Sequence, residues 1–332
     1  MLKRLITSSL LAAMLLSIGG FKHAGTGTRG KTKNDHPLLV GVFRPDGIIV
    51  PFARYANRKW INPWRSPQPD RQPDEPETIA DLSTPWYESL VKPPGEWHLW
   101  LSPAGGQTVK TVKSLQVCSH CQKVWGLASD YPNPKPPEET ECVRNLGIAF
   151  TEKTDARVMT RLTSASPDWK QLIKFLPPDF ERAEKAGLSI PTNQYYSAQM
   201  PALEKRATTP LSMLNLYRTQ LADGKLVFYF EASKEYPKPP AANDAGCNNI
   251  SLLGGWILRD SRGRLTLLSS LFSPTDCDMK EGGSALPFAI LNLDGKTFAI
   301  VEEDSYEGEE YTILEIQESG VRRILETYAG SC

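Results

Sequence analysis

The chain has 332 residues, with 38 basic and 38 acidic side chains, so its formal net charge is zero. That balance removes the electrostatic case for nucleic acid or an anionic membrane surface as a partner. A hydrophobic content of 40% is that of a globular protein, and 27 prolines against 24 glycines point to loops and edge positions, not long helices.

Lys3 and Arg4 precede an apolar run from Leu5 to Ile18, and the small residues Ser17, Gly19 and Gly20 follow. This order predicts a signal peptide over residues 1–24 and an extracytoplasmic location, secreted or periplasmic. The run is too short to span a bilayer and no later one is longer, so no integral membrane segment is expected in the mature chain. Residues 25–35 are rich in Gly, Thr and Lys and read as a flexible linker. Gly25, Gly27 and Gly30 match the spacing of a dinucleotide loop, but the strand and helix that such a loop needs on either side are missing. No nucleotide or other cofactor is expected.

Residues 36–332 read as a single β-rich domain. Leu38–Phe43 and Ile48–Arg54 flank Asp46-Gly47, a hairpin signal, and a short run ends in Trp60 and Trp64. Proline-rich stretches at Ser66–Glu77, Tyr131–Glu141 and Pro237–Asn243 read as surface loops. Trp60, Trp64, Trp97 and Trp100 lie close in sequence to Arg54 and Arg58. Exposed rings could stack on sugars or apolar ligands while the guanidinium groups donate hydrogen bonds, which makes these six residues the ligand-binding candidates; packing is the competing role for the rings. His98 sits between Trp97 and Trp100 and reads as a half-buried strand residue, not a general base.

One helix is expected from Ser166, a cap, through Pro167, Trp169, Leu172, Ile173 and Leu176. A second follows from Pro178 to Gly187. Hairpins then succeed one another. Leu214–Leu221 and Leu226–Ala232 flank Asp223-Gly224; Leu252–Asp260 and Arg264–Phe272 flank Ser261-Arg262-Gly263. Leu286–Leu293 and Thr297–Glu303 flank Asp294-Gly295, and Tyr311–Ile316 pairs with Val321–Thr327. The fold class is therefore all-β, mostly antiparallel hairpins in a propeller-like or sandwich arrangement, with one or two short helices near 166–187. The run Glu302–Tyr311 carries six carboxylates and reads as a solvated hairpin tip, and Asn249-Ile250-Ser251 is a formal glycosylation sequon.

Six cysteines, Cys118, Cys121, Cys142, Cys247, Cys277 and Cys332, form an even set that favours disulfides in an exported protein. Cys118-Ser-His-Cys121 lacks the second ligand pair that structural zinc needs, so no metal is expected. Cys247 and Cys277 lie equally far from Arg262 at the centre of their hairpin, and facing residues of an antiparallel pair share that property, so these two are paired; the rest are left open. No catalytic motif stands out. The reading is an exported, disulfide-stabilised binding or interaction module of unknown ligand, a protein or a glycan. The alternative is a carbohydrate-active hydrolase using a carboxylate pair beside an aromatic cleft.

Overall fold

Residues 37–63, 95–101, 105–119, 122–132, 134–135, 145–237, 248–276, 283–305 and 308–331 are described by a computed structural model. Contacts divide the chain into Met1–Asp35 and His36–Cys332, and every described element lies in the second unit. The leader, the linker, Trp64, the stretch Ser66–Glu77, most of the other two proline-rich stretches and five of the cysteines lie outside the described residues; Cys118 falls on a strand, its side chain undescribed.

The N-terminal half is a closed barrel. Its strands are β1 (Leu38–Phe43), β2 (Ile48–Ala56), β4 (Glu96–Leu101), β5 (Gly105–Ser119), β6 (Gln122–Ser129) and β7 (Gly147–Phe150), with β3 (Lys59–Ile61) appended to β2. They pair in the order β1-β7-β4-β5-β6-β2, and β1–β2 pairing closes the ring. Closure explains the continuous apolar run in β1, because every residue of that strand is buried. Leu39 and Phe43 join Ile49, Trp97, Leu99, Leu101, Val109 and Leu127 inside the barrel. Leu38, Val40 and Val42 point the other way, onto the next layer. The interior is filled with side chains, as small barrels are.

After β7 the chain runs along the edges of two sheets. β8 (Arg157–Val158) pairs with one and β9 (Thr160–Arg161) with the other, while Met159 between them is buried in the core those sheets share. Helices follow: α1 (Pro167–Phe175), α2 (Pro177–Leu188), α3 (Gln194–Gln199) and α4 (Leu203–Thr208). The Ser166 hydroxyl accepts the Asp168 N–H at 3.2 Å, and Pro167 opens the first turn, where its missing N–H costs nothing. The rest is two four-stranded antiparallel meanders. The first is β10 (Ser212–Gln220), β11 (Leu226–Tyr236), β12 (Asn249–Arg259) and β13 (Leu265–Asp276). The second is β14 (Ser284–Leu293), β15 (Lys296–Ser305), β16 (Gly308–Gln317) and β17 (Gly320–Ser331).

Period-two alternation sorts these strands into layers. On the first meander Phe228, Phe230, Leu253 and Ile257 meet Leu172, Leu176 and Phe180 of the helices. Its other face, with Val227, Tyr229, Trp256 and Leu258, meets Ala299, Val301, Leu314 and Ile316 of the second meander. The far side of the second meander, with Phe298, Ile300, Tyr311 and Ile313, packs on the outside of the barrel. The all-β class and the two helices near 166–187 are as the sequence indicates, while α3 and α4 are two further short helices that it did not foresee. Of the two arrangements it allows, a stacked pair of meanders is the sandwich, and a barrel stands in place of further blades. Among the described residues no helix is long and apolar enough to cross a membrane.

Candidate ligand-binding cavity

The two meanders do not close against each other along their whole length. At one end their facing surfaces line a cavity of about 670 Å³ that is open to solvent on one side, with residues from all eight strands contributing. A residue without a side chain helps to open it. Gly254 lies on the inter-sheet face of β12, two positions from Trp256, where its neighbours carry bulky groups. A Cβ there would point at the Tyr229 hydroxyl, 3.3 Å away, and at Glu231. The adjacent Gly255 has a different cause: on the opposite side, its Cβ would come within 2.3 Å of the Ser269 carbonyl oxygen.

One wall is anchored by Glu231. Buried at 8% exposure, it accepts from the Tyr229 hydroxyl at 3.0 Å, the Asn215 amide at 2.5 Å and the Ala285 backbone N–H at 2.7 Å. Ala285 belongs to β14, so this carboxylate ties the two meanders together at the cavity edge. Burial, reinforced by the Glu231 charge, holds the Tyr229 hydroxyl protonated well above the ordinary phenol range.

The opposite wall is acidic. Glu303 of β15 faces Glu310 of β16 directly across the strand pair, and both line the cavity. Arg323 of β17 is their cation: it reaches Glu303 at 2.5 Å and Glu326 at 2.6 Å, but Glu310 only at 3.8 Å. Burial, together with the negative charges of Glu326 and Glu303, raises the Glu310 carboxyl above the ordinary range despite Arg323. The floor is apolar, with Trp256, Val301, Leu314 and Val321, and Leu271 stands at 76% exposure beside it.

The sequence read Glu302–Tyr311 as a solvated tip; Asp304 is exposed as that reading requires, but alternation turns four of the described carboxylates to the two faces of the sheet. Glu303 and Glu310 enter the cavity, while Glu302 and Glu309 turn toward the barrel, where Asn145 donates to them at 2.6 and 3.1 Å. The signal that could have found this is the pairing of two acidic residues either side of a hairpin, on the same face as Val301 and Leu314.

Of the tryptophans chosen from sequence, the three that are described, Trp60, Trp97 and Trp100, occupy other places. Trp97 is fully buried inside the barrel, and Trp60, 8% exposed, packs on Tyr55 and Phe298 at centroid distances of 4.9 and 5.5 Å. Trp100 is half-buried against the outer barrel face. Arg54 lies on β2 opposite Ile61, and Arg58 is exposed in the β2–β3 turn, 3.9 Å from Asp294. None of these residues lines the cavity. His98 is half-buried, its Nδ1 3.1 Å from the Thr108 hydroxyl. Asn249 of the sequon is wholly buried, its amide donating to the Gln199 carbonyl at 3.1 Å, so the folded chain does not offer it for glycosylation.

Cys247 and Cys277 lie outside the described residues, but the hairpin from which their pairing was counted is described from Asn249 to Asp276. Arg259 faces Leu265 and Ile257 faces Leu267, as equal spacing from Arg262 requires, but Leu268 then bulges out and Trp256 faces Ser269. The shifted register persists to Asn249 and Asp276, the last described pair before the cysteines. Among the described residues no group of three or more His, Cys, Asp or Glu side chains is placed to hold a metal ion. Comparison with protein-family models, curated proteins and solved structures finds no match for this chain.

Proposed function

We propose that the protein is an exported binding module, and that the cavity between the meanders is where it holds a small ligand. One observation carries this reading: a cavity of about 670 Å³ with an apolar floor and a few converging polar groups, its wall fixed by the triply bonded Glu231. That volume falls within the about 300–1,000 Å³ that small-molecule sites occupy. The leader-like N-terminus and the even cysteine set support the location and the disulfides.

The test is a fragment screen by ligand-observed nuclear magnetic resonance on the chain and on Gly254→Leu, whose side chain projects into the cavity. Binders of the parent that no longer bind the folded variant support the reading. Binders that are indifferent to the substitution place the ligand site elsewhere.

Carbohydrate hydrolysis has one observation in its favour, since Glu310 holds its proton above the ordinary range and shares the cavity with Glu231. Glu231 weighs against it. Both of its oxygens already accept hydrogen bonds, so it is poorly placed to activate water or attack an anomeric carbon. Turnover of a glycan panel, lost in Glu310→Gln, would favour the enzyme.

A further inference from the structure

We infer that the ligand of the inter-sheet cavity is a small amphiphile with one cationic group, the cation seated beside Glu303 and Glu310 and the apolar body lying on Trp256, Leu314 and Val321. This rests on the cavity being the binding site. Charge complementarity chooses the occupant. Among its described lining residues are Glu231, Glu303, Asp304 and Glu310, against the single guanidinium of Arg323. The four carboxylates are not equivalent. Glu231 has its oxygens filled by Tyr229, Asn215 and Ala285, so it holds the sheets and offers little to a ligand. Arg323 spends its short contacts on Glu303 and on Glu326, at 2.5 and 2.6 Å, and leaves Glu310 at 3.8 Å. Glu310 shares a hydrogen bond with Glu326 and has only a distant cation, so the least compensated negative charge of the wall lies at Glu310 and the facing side of Glu303.

Like charges set directly opposite on neighbouring strands oppose folding. A bound ammonium or guanidinium relieves that repulsion, because it is attracted to both carboxylates at once. An anionic ligand would add to the repulsion, and a neutral one would leave it in place. The rest of the space fits the other half of the amphiphile, since the Trp256 ring and the aliphatic side chains of Leu314, Val301 and Val321 offer no hydrogen-bonding group beyond the indole N–H. The groups that bear on Glu310 are Glu303 from β15 and Arg323 and Glu326 from β17. A proton on Glu310 competes with the cation, so binding strengthens as that proton leaves.

Three probes of one tail length separate this inference from the reading beneath it: octylammonium, octanol and octanoate, each titrated below its aggregation threshold into the whole chain by calorimetry at neutral pH. The expected order is octylammonium tightest by about tenfold over octanol, as one or two partly solvated ion pairs provide, with octanoate weakest. Glu310→Gln should erase much of the octylammonium advantage while octanol binding stays constant, which also shows that the variant is folded. Added salt should narrow the gap between the two probes. If octanol and octanoate bind as tightly as octylammonium and all three are lost in Gly254→Leu, the cavity is a site but its cation preference is overturned. If no probe binds, or binding survives in folded Gly254→Leu, the cavity reading itself falls and the inference with it.

Discussion

Glu303 and Glu310 face each other across β15 and β16, on the surface that the two meanders share. Arg323 neutralises the pair incompletely, and the cost appears in Glu310, whose carboxyl titrates above the ordinary range. The sign follows from linkage: between its unfolded and its raised folded value the native state binds more protons, so stability falls as pH rises through that interval. Glu310→Gln removes the penalty. We expect the variant to be more stable than the parent at neutral pH by about 0.5 kcal/mol, the size of a like-charge cross-strand pair, with the difference vanishing toward pH about 3 where both forms are uncharged. Urea unfolding at the two pH values measures it. A variant less stable than the parent at neutral pH would show that the Arg323 contact outweighs the repulsion.

Asp168 presents the opposite case. It sits in the first turn of α1 and receives Arg218 and Arg259, each at 2.6 Å. Burial works against its charge, yet the hydrogen bonds from Arg259 and Arg218 prevail and hold the carboxyl below the ordinary range. Its contribution is therefore complete above the unfolded-state value and is lost as pH falls through the folded one. Asp168→Asn should cost about 2 kcal/mol at neutral pH, within the range for hydrogen bonds to charged groups, because α1 loses its tie to β10 and β12. The parent should lose stability on acidification faster than the variant. Parallel acid-limb slopes in the two proteins would remove Asp168 from the account.

How much of this was legible in the sequence depends on the range over which each feature is determined. Turn chemistry is local, and the β1–β2, β10–β11, β12–β13 and β14–β15 hairpins fall where Asp-Gly and Arg-Gly dipeptides put them. Even so, one dipeptide served two geometries: Asp294 and Gly295 both have positive φ, whereas at Asp223-Gly224 only the glycine does. A bulge is set by packing, and counting from Arg262 could not foresee that Leu268 would leave the ladder. Barrel closure is more remote still. β1 meets β7 through pairs such as Val40 and Phe150, and no window around either residue reports the other. The cavity belongs to that class, since its walls come from Glu231, Gly254 and Glu310 on three strands and two sheets. The tryptophans drew attention because they cluster in sequence, while the residues that line a space do not.

Gly187 tests the packing of α2 on the first meander. A Cβ built there would come within 2.0 Å of the Phe272 ring on β13, so the helix approaches the sheet only because this position is bare. Gly187→Ala should cost about 1–3 kcal/mol, the usual penalty for overpacking, in spite of alanine's better helix propensity. Shrinking the partner should restore most of it. A double-mutant cycle with Phe272→Leu is expected to show strong favourable coupling, and additive losses would mean that the two residues do not meet.

Gly254 should behave in the reverse way, because what it supplies is space. Its φ is not positive, and the nearest obstacle to a Cβ is the Tyr229 hydroxyl at 3.3 Å, the tip of a side chain that can yield by a few tenths of an ångström. A glycine in a strand interior costs about 0.5–1 kcal/mol relative to alanine through backbone entropy and absent contacts. Gly254→Ala is therefore expected to raise the melting temperature slightly while it weakens whatever binds in the cavity. Gly255→Ala provides the contrast, since its Cβ would run into the backbone oxygen of Ser269, which cannot move without breaking the β12–β13 ladder. Thermal unfolding of the two variants decides between space and packing as the cause of the glycine pair. If Gly254→Ala destabilises as much as Gly255→Ala, both glycines are demanded by the fold, and the cavity loses its argument from an empty position. If only Gly255→Ala destabilises, the fold does not demand the bare position at 254, and the open volume beside Trp256 is not a by-product of strand packing.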